Sequence, residues 1–198
     1  MFEERLVAQF DPEVLEQTSP VLYNGYFQHE DYFLHAADAI AADIAESPED
    51  AAQFVSGGGG PSVALSIRAG ADYQRLGWAI PLDWYLRAAR CVAEQHSRPE
   101  FVVFSDVVAA ADEAVRALRQ YGTAVSAAHL DARSQLHVMA ALDHAIIAPS
   151  SFAWWGAWLG DHRHGFAPDR TVIAPSPWVK AAFDGTPSQR WSRLPVET

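Results

Sequence analysis

A single cysteine, Cys91, among 198 residues rules out an internal disulfide framework and a cysteine-based zinc site, and it agrees with a reducing compartment. Lysine is equally scarce. Lys180 is the one lysine among 14 basic residues, which face 25 acidic residues for a formal net charge of -11. A surface this acidic repels nucleic acid and anionic lipid at long range, so nucleic acid is not expected as a partner. No apolar run approaches the ~20 residues that span a bilayer. The opening MFEERLVAQF is charged from its third residue and lacks the apolar region of a secretory leader. No Gly-x-Ser-x-Gly elbow is present, which leaves a hydrolase nucleophile without support. The run SGGGGP (56–61) precedes a strand and lacks the lysine of a phosphate loop, so it is no dinucleotide fingerprint. An anionic small molecule would need a local cluster of arginines or helix N-termini to overcome the acidic field.

What is present is a folding chain: 49% of residues are hydrophobic, and the length suits one large domain or one and a half small ones. Residues 30–47 lack Gly and Pro, with Phe33, Ala37, Ile40 and Ile44 at helical intervals, and predict one helix stopped near Pro48. SGGGGP then reads as a surface loop or lid. Strands follow at 62–68, 100–106, 123–128, 144–149 and 171–175. They alternate with helices at 81–96, 110–122, 131–143 and 150–160. Such alternation predicts an α/β fold, a Rossmann-like parallel sheet with helices on both faces. The expected organisation is a helical lead-in with its Gly-rich loop at 1–60, the Rossmann-like domain at 61–180 and an irregular tail at 181–198.

In open parallel sheets ligands bind beyond the carboxyl ends of the strands. Arg68, Ser105, Asp106, Ser150 and Ser151 fall there. Arg68 ends the strand in SIRAGADYQ (66–74), on the face that carries Ser66, and its planar fork of donors suits phosphate oxygens. The alternative is a surface arginine paired with Asp72. Asp106 follows an apolar strand, where a carboxylate can accept donors from a base edge or ribose; its commoner role is to cap the next helix. Ser150 and Ser151 sit where a strand hands over to a helix, an anion site in physical terms. In that helix Phe152, Trp155, Gly156 and Leu159 form a core-facing stripe, and Trp154 and Trp158 a second one, so the helix is expected to be covered on more than one side. His162 and His164, with Asp161, offer too few ligands at too short a spacing for zinc. His137 and His144 read as ordinary.

At these residues the sequence resembles the α-1,2-fucosyltransferases of glycosyltransferase family 11. The segments are FVVFSD (101–106), HAIIAPSSFAWWGAWLG (144–160) and TVIAPSPWV (171–179), with YNGYFQHEDYF (23–33) similar to a family segment ahead of a helix. The resemblance implies the donor-binding half of a GT-B-type fucosyltransferase, transferring L-fucose from GDP-fucose to the 2-hydroxyl of a galactoside. It implies no metal or other cofactor. Arg68 matches the first arginine of the family's His-x-Arg-Arg-x-Asp motif, and Asp72 and Tyr73 match its Asp-Tyr ending. By the same resemblance Asp106 helps read the guanine, and Ser150 and Ser151 hold phosphate or ribose. Arg68 and Asp72 are the catalytic candidates, Asp72 either as general base or as the residue that orients Arg68. The implied partners are a nucleotide sugar and a galactose-containing glycan. The implied location is cytoplasmic, with peripheral association at the inner face of the membrane.

The departures from the family pattern fall in the same motifs. Ser66 replaces the motif histidine, Ala69 its second arginine, and Ala71 is inserted before Asp72; Arg75 is the nearest substitute donor. Pro149 stands where the family has asparagine, and Gln135 where it has an acidic residue. The family's amino-terminal glycine-rich segment does not precede Met1. The chain is expected either to lack a lobe, supplied by missing sequence or a partner chain, or to be a catalytically silent nucleotide- or glycan-binding domain. An enzyme for another nucleotide sugar is a third reading.

Overall fold

The computed structural model describes residues 1–5, 7–44, 54 and 59–197. The amino-terminal part opens with two short parallel strands, β1 (Phe2–Glu3) and β2 (Tyr23–Asn24). The helix expected from residue 30 is instead two 3-10 turns, Glu30–Tyr32 and Leu34–Ala36, followed by α1 (Ala37–Ile44). The break falls at Phe33, whose backbone leaves the helical region (φ -133°, ψ 0°). Its ring packs on Trp154, Trp155 and Trp158, and that aromatic packing overrides helical propensity here. The expected stop near Pro48, and the first half of the SGGGGP run (56–58), lie outside the described residues.

The rest builds around six parallel strands: β3 (Ser62–Ile67), β4 (Glu100–Ser105), β5 (Thr123–Ser126), β6 (His144–Ile146), β7 (Val172–Ser176) and β8 (Ser192–Pro195). Their spatial order is β5-β4-β3-β6-β7-β8, every neighbouring pair parallel. The chain works outward from β3 in one direction and then returns to start again at β6. The β3/β6 boundary is therefore the topological switch point of a doubly wound sheet, the place where such folds take ligands.

Among the described residues five helices accompany the sheet: α2 (Ala71–Leu76), α3 (Leu82–Gln95), α4 (Val108–Leu118), α5 (Ala132–Ala141) and α6 (Ser151–Arg163). Alternation along β3 assigns the faces. Val63, Leu65 and Ile67 meet Trp84, Tyr85, Ala88 and Val92 of α3 and Ala111, Ala114 and Leu118 of α4. Ala64, with Val102 and Phe104, meets Val138 and Met139 of α5 and the tryptophans of α6. Helix α6 is covered on several sides, as expected, but the deeper stripe is Trp154 and Trp158, whereas Phe152 and Trp155 are only partly buried. A Cβ at Gly156 would sit 3.0 Å from the Met139 side chain, so its absence lets α5 approach α6 closely on the Gly156 side.

The tail at 181–198 is not irregular. Ser192–Pro195 form β8, paired with β7, so the sheet continues past residue 180. Four residues with one apolar side chain give no alternation to read, and tertiary pairing makes the strand. Trp191, just before it, donates to Asp161 Oδ2 at 2.7 Å, and Asp161 also pairs with Arg170 at 2.9 Å inside the core. The amino-terminal part is tied to this tail: Glu30 accepts from Ser188 Oγ (2.7 Å) and Arg190 Nη2 (2.7 Å). Among the described residues no helix is long and apolar enough to cross a membrane.

Candidate functional site

A cleft of about 420 Å³ opens beyond the carboxyl ends of β3, β4 and β6, at the switch point. Its walls are Ser66, Ile67 and Arg68 from β3 and its end, Phe104, Ser105 and Asp106 from β4 and its end, Tyr73 of α2, Ala132 and Gln135 of α5, and Ser150, Ser151 and Phe152 at the start of α6. Of the residues singled out from sequence, Arg68, Tyr73, Ser105, Asp106, Ser150 and Ser151 line it. Asp72 does not line it but is bonded to Arg68, which does.

Arg68 is held on three sides. Nη1 lies 2.8 Å from Asp106 Oδ2, Nη2 lies 2.8 Å from Asp72 Oδ2, and the guanidinium carbon stands 4.8 Å from the centre of the Tyr73 ring. Planar stacking and two carboxylates fix the fork's orientation, which a lysine could not reproduce. The Asp72 carboxyl loses some solvent, but the Tyr73 amide and the Arg68 guanidinium together hold it below the usual carboxylate range. Burial pushes the Tyr73 phenol up, and the phenol donates to the Pro149 carbonyl at 3.0 Å. That bond ties the α2 segment to the loop that leads into α6.

Asp106 does not cap the helix after it. The capping position of α4 is Val107, with no side-chain bond. Instead, Asp106 Oδ1 accepts from the Ala69 amide (2.8 Å) and Oδ2 from the Gly70 amide (3.0 Å), and with Arg68 this clamps the turn between β3 and α2. Alpha helix α2 is absent from the sequence reading because it has only six residues; its signal was the bracketing pair Gly70 and Gly77, the latter a left-handed cap at φ 68°. Arg75, the suggested substitute donor, is exposed on α2 and is not among the residues that line the cleft.

Ser150 is the N-cap of α6, its Oγ accepting from the Ala153 amide at 3.1 Å. By helix geometry the next two amides, Ser151 and Phe152, have no intrahelical acceptor. They open the helix where the cleft wall runs, a location that favours an anion. Gln135 also reaches the wall, from α5, while its amide nitrogen donates to the Leu130 carbonyl at 2.8 Å. The histidine candidates lie elsewhere: His162 Nε2 is 2.8 Å from Asp38, and Asp161 is buried with Arg170 in the core. Among the described residues no group of three or more His, Cys, Asp or Glu side chains could hold a metal ion.

Comparison with known proteins bears on this site. The chain is 26% identical over 195 residues to an Alpha-1,2-colitosyltransferase of Escherichia coli, covering 88% of this chain and 62% of that protein. It is 27% identical over 123 residues to the O-antigen biosynthesis glycosyltransferase WbnK of Escherichia coli, covering 59% of this chain and 39% of that protein. The chain thus spans between about two fifths and three fifths of the length of these relatives. Two crystal structures of POFUT1 in complex with GDP superpose with TM-scores of 0.45 and 0.48, at 19% and 14% identity, over 66% and 70% of this chain and 45% and 51% of theirs. The family model described as Glycosyl transferase family 11 matches residues 13–185, through both cleft-forming segments. With so much of its length inside that match, the chain belongs to glycosyl transferase family 11.

Proposed function

We propose that this chain forms the donor-binding part of a transferase that moves L-fucose from GDP-fucose to the 2-hydroxyl of a galactoside. The observation that carries the proposal is the cleft at the switch point, which Arg68 and the residues that begin α6 line together. A diphosphate there would take the Arg68 fork on one side and the Ser151 and Phe152 amides on the other. Charge developing on the GDP leaving group would be met by preorganised donors, and no metal is invoked for it. In this arrangement Asp72 positions Arg68, and Asp106 sets the turn that carries it. A relative named for α-1,2 transfer of colitose supports the linkage and leaves the donor sugar open between fucose and colitose. Transfer must also hold the acceptor away from water. We assign the rest of the acceptor's enclosure to a second lobe or partner chain, since the chain spans 62% of the longer-matched relative.

A second reading has its own observation. Arg68 is already shared by two carboxylates, so the cluster of Arg68, Asp72 and Asp106 carries a formal charge of one negative unit before any phosphate arrives. A catalytically silent domain that binds a glycan without a nucleotide would tolerate that balance. Calorimetric titration with GDP and GDP-fucose, with UDP as control, separates the two. The expected result is saturable, guanine-selective binding that R68A weakens about ten- to a hundredfold, the worth of a lost charge-assisted contact. A folded chain with no GDP binding, or R68A with unchanged affinity, would sink the donor-site proposal.

A further inference from the structure

On the other side of Ser151 lies a second pocket, of about 240 Å³, that the nucleotide assignment leaves unused. Its walls are mostly aromatic: Tyr26, Phe33, Trp155 and Trp178, with the polar groups of Gln28 and Thr186 between them. Ser151 belongs to both this pocket and the cleft, so the two share a wall at the start of α6. The amino-terminal wall is fixed in place. Glu4 accepts from the Tyr26 amide at 2.7 Å and the Phe27 amide at 3.0 Å, and Glu30 is anchored on Arg190 and Ser188. Phe33 and Trp155 pack on one another with ring centres 5.1 Å apart and planes tilted by 32°. Thr186 adds a separate sign of a ligand. It is 6% exposed, and among the described residues its Oγ1 has no hydrogen-bond partner. A buried hydroxyl left unpaired is costly.

We infer that this pocket takes a neutral pyranose ring of the acceptor glycan; the inference rests on the donor assignment above. Rings that present a flat apolar face with polar groups at the edge match a sugar's C–H face and hydroxyl rim. The lining includes His29 but no arginine, lysine or carboxylate, a composition that suits an uncharged group better than a phosphate. The pocket is bounded by Tyr26, which is 73% exposed, so a ring seated there can continue outward into a longer chain. An acceptor needs that exit. A donor sugar, which ends its molecule, does not. Thr186 supplies the hydroxyl that pairs with a ring hydroxyl, and Ser151 marks the side from which the donor is reached.

The test uses the whole chain with indole nitrogens labelled, following the tryptophan ring N–H signals while methyl β-galactopyranoside is added, with and without GDP. Free L-fucose serves as the comparison for a donor sugar. Saturable shifts with the galactoside are expected, weakened at least fivefold in Y26A and in T186V while both variants keep the parent's GDP affinity. If GDP fails to bind but the galactoside response persists and depends on Tyr26, the sugar pocket stands and the nucleotide assignment falls. Three results would overturn the inference: no saturable galactoside response, with or without GDP binding; both variants binding the galactoside like the parent; or L-fucose preferred over the galactoside.

Discussion

Gly70 has no side chain at a point where none would fit. A Cβ there would lie 2.5 Å from Asp106 Oδ2 and 2.8 Å from Asp72 Oδ1. The constraint is spatial and not conformational, because a φ of -60° suits any residue. Both carboxylates that hold Arg68 converge on this spot, and Oδ2 of Asp106 bonds the Gly70 amide itself. Gly70→Ala must therefore displace either the turn or the two carboxylates, and both displacements release the fork's orientation. Forcing a methyl into an occupied space costs roughly 1–3 kcal/mol. The expected outcome is an unfolding free energy, from urea titration, lowered by that amount, together with a GDP affinity about tenfold weaker in calorimetry. A variant with parent-like stability and GDP affinity would show that Asp106 does not organise the turn.

Among the elements, the strands and helices that alternate between 62 and 176, α2 apart, were legible because most strands are short apolar runs and several helices bring a boundary residue, Asp131 for α5 and Ser150 for α6. The site was legible for the same reason: a strand end followed by polar residues places them at the carboxyl edge of the sheet. What stayed hidden was decided by partners distant in sequence. Phe33 breaks a helix to reach the α6 tryptophans, β8 exists through β7, and Asp106 finds amides 36 and 37 positions away. His144 is a further case, read as ordinary. It opens β6, is 6% exposed, and its Nδ1 accepts from the Thr171 amide at 3.1 Å, where β6 meets β7. Burial, and then the neighbouring His96 ring at 4.4 Å, push its pKa down to about 4. An unfolded histidine titrates near 6.5, so between these values the unfolded chain binds a proton that the folded chain refuses. Stability is therefore fully present above pH 6.5 and is lost as pH falls towards 4, by on the order of 3 kcal/mol. Urea unfolding at pH 7.5, 6 and 5 should show the fall, and His144→Gln, which keeps an acceptor for Thr171, should flatten it. Parallel pH profiles for the two proteins would place the proton elsewhere.

For the whole molecule the governing quantity is its charge. The chain carries a formal -11, and among the described residues that line the cleft Arg68 is the one cation, itself held between Asp72 and Asp106. A GDP anion therefore approaches an acidic body with no positive local field to steer it, and binds only when it comes within hydrogen-bond reach of Arg68 and the α6 amides. Repulsion at a distance is screened by salt: the Debye length shrinks from about 30 Å at 0.01 M to about 10 Å at 0.1 M. Contacts made inside the cleft are screened far less. The association rate of GDP should thus rise with ionic strength, about twofold or more between 0.01 and 0.2 M, opposite in sign to an electrostatically steered anion site. The dissociation rate should change little over the same range. Stopped-flow mixing with a fluorescent GDP analogue measures both rates. An association rate that falls with salt would mean that a positive field surrounds the cleft, and so that a basic surface not seen in its lining guides the nucleotide in.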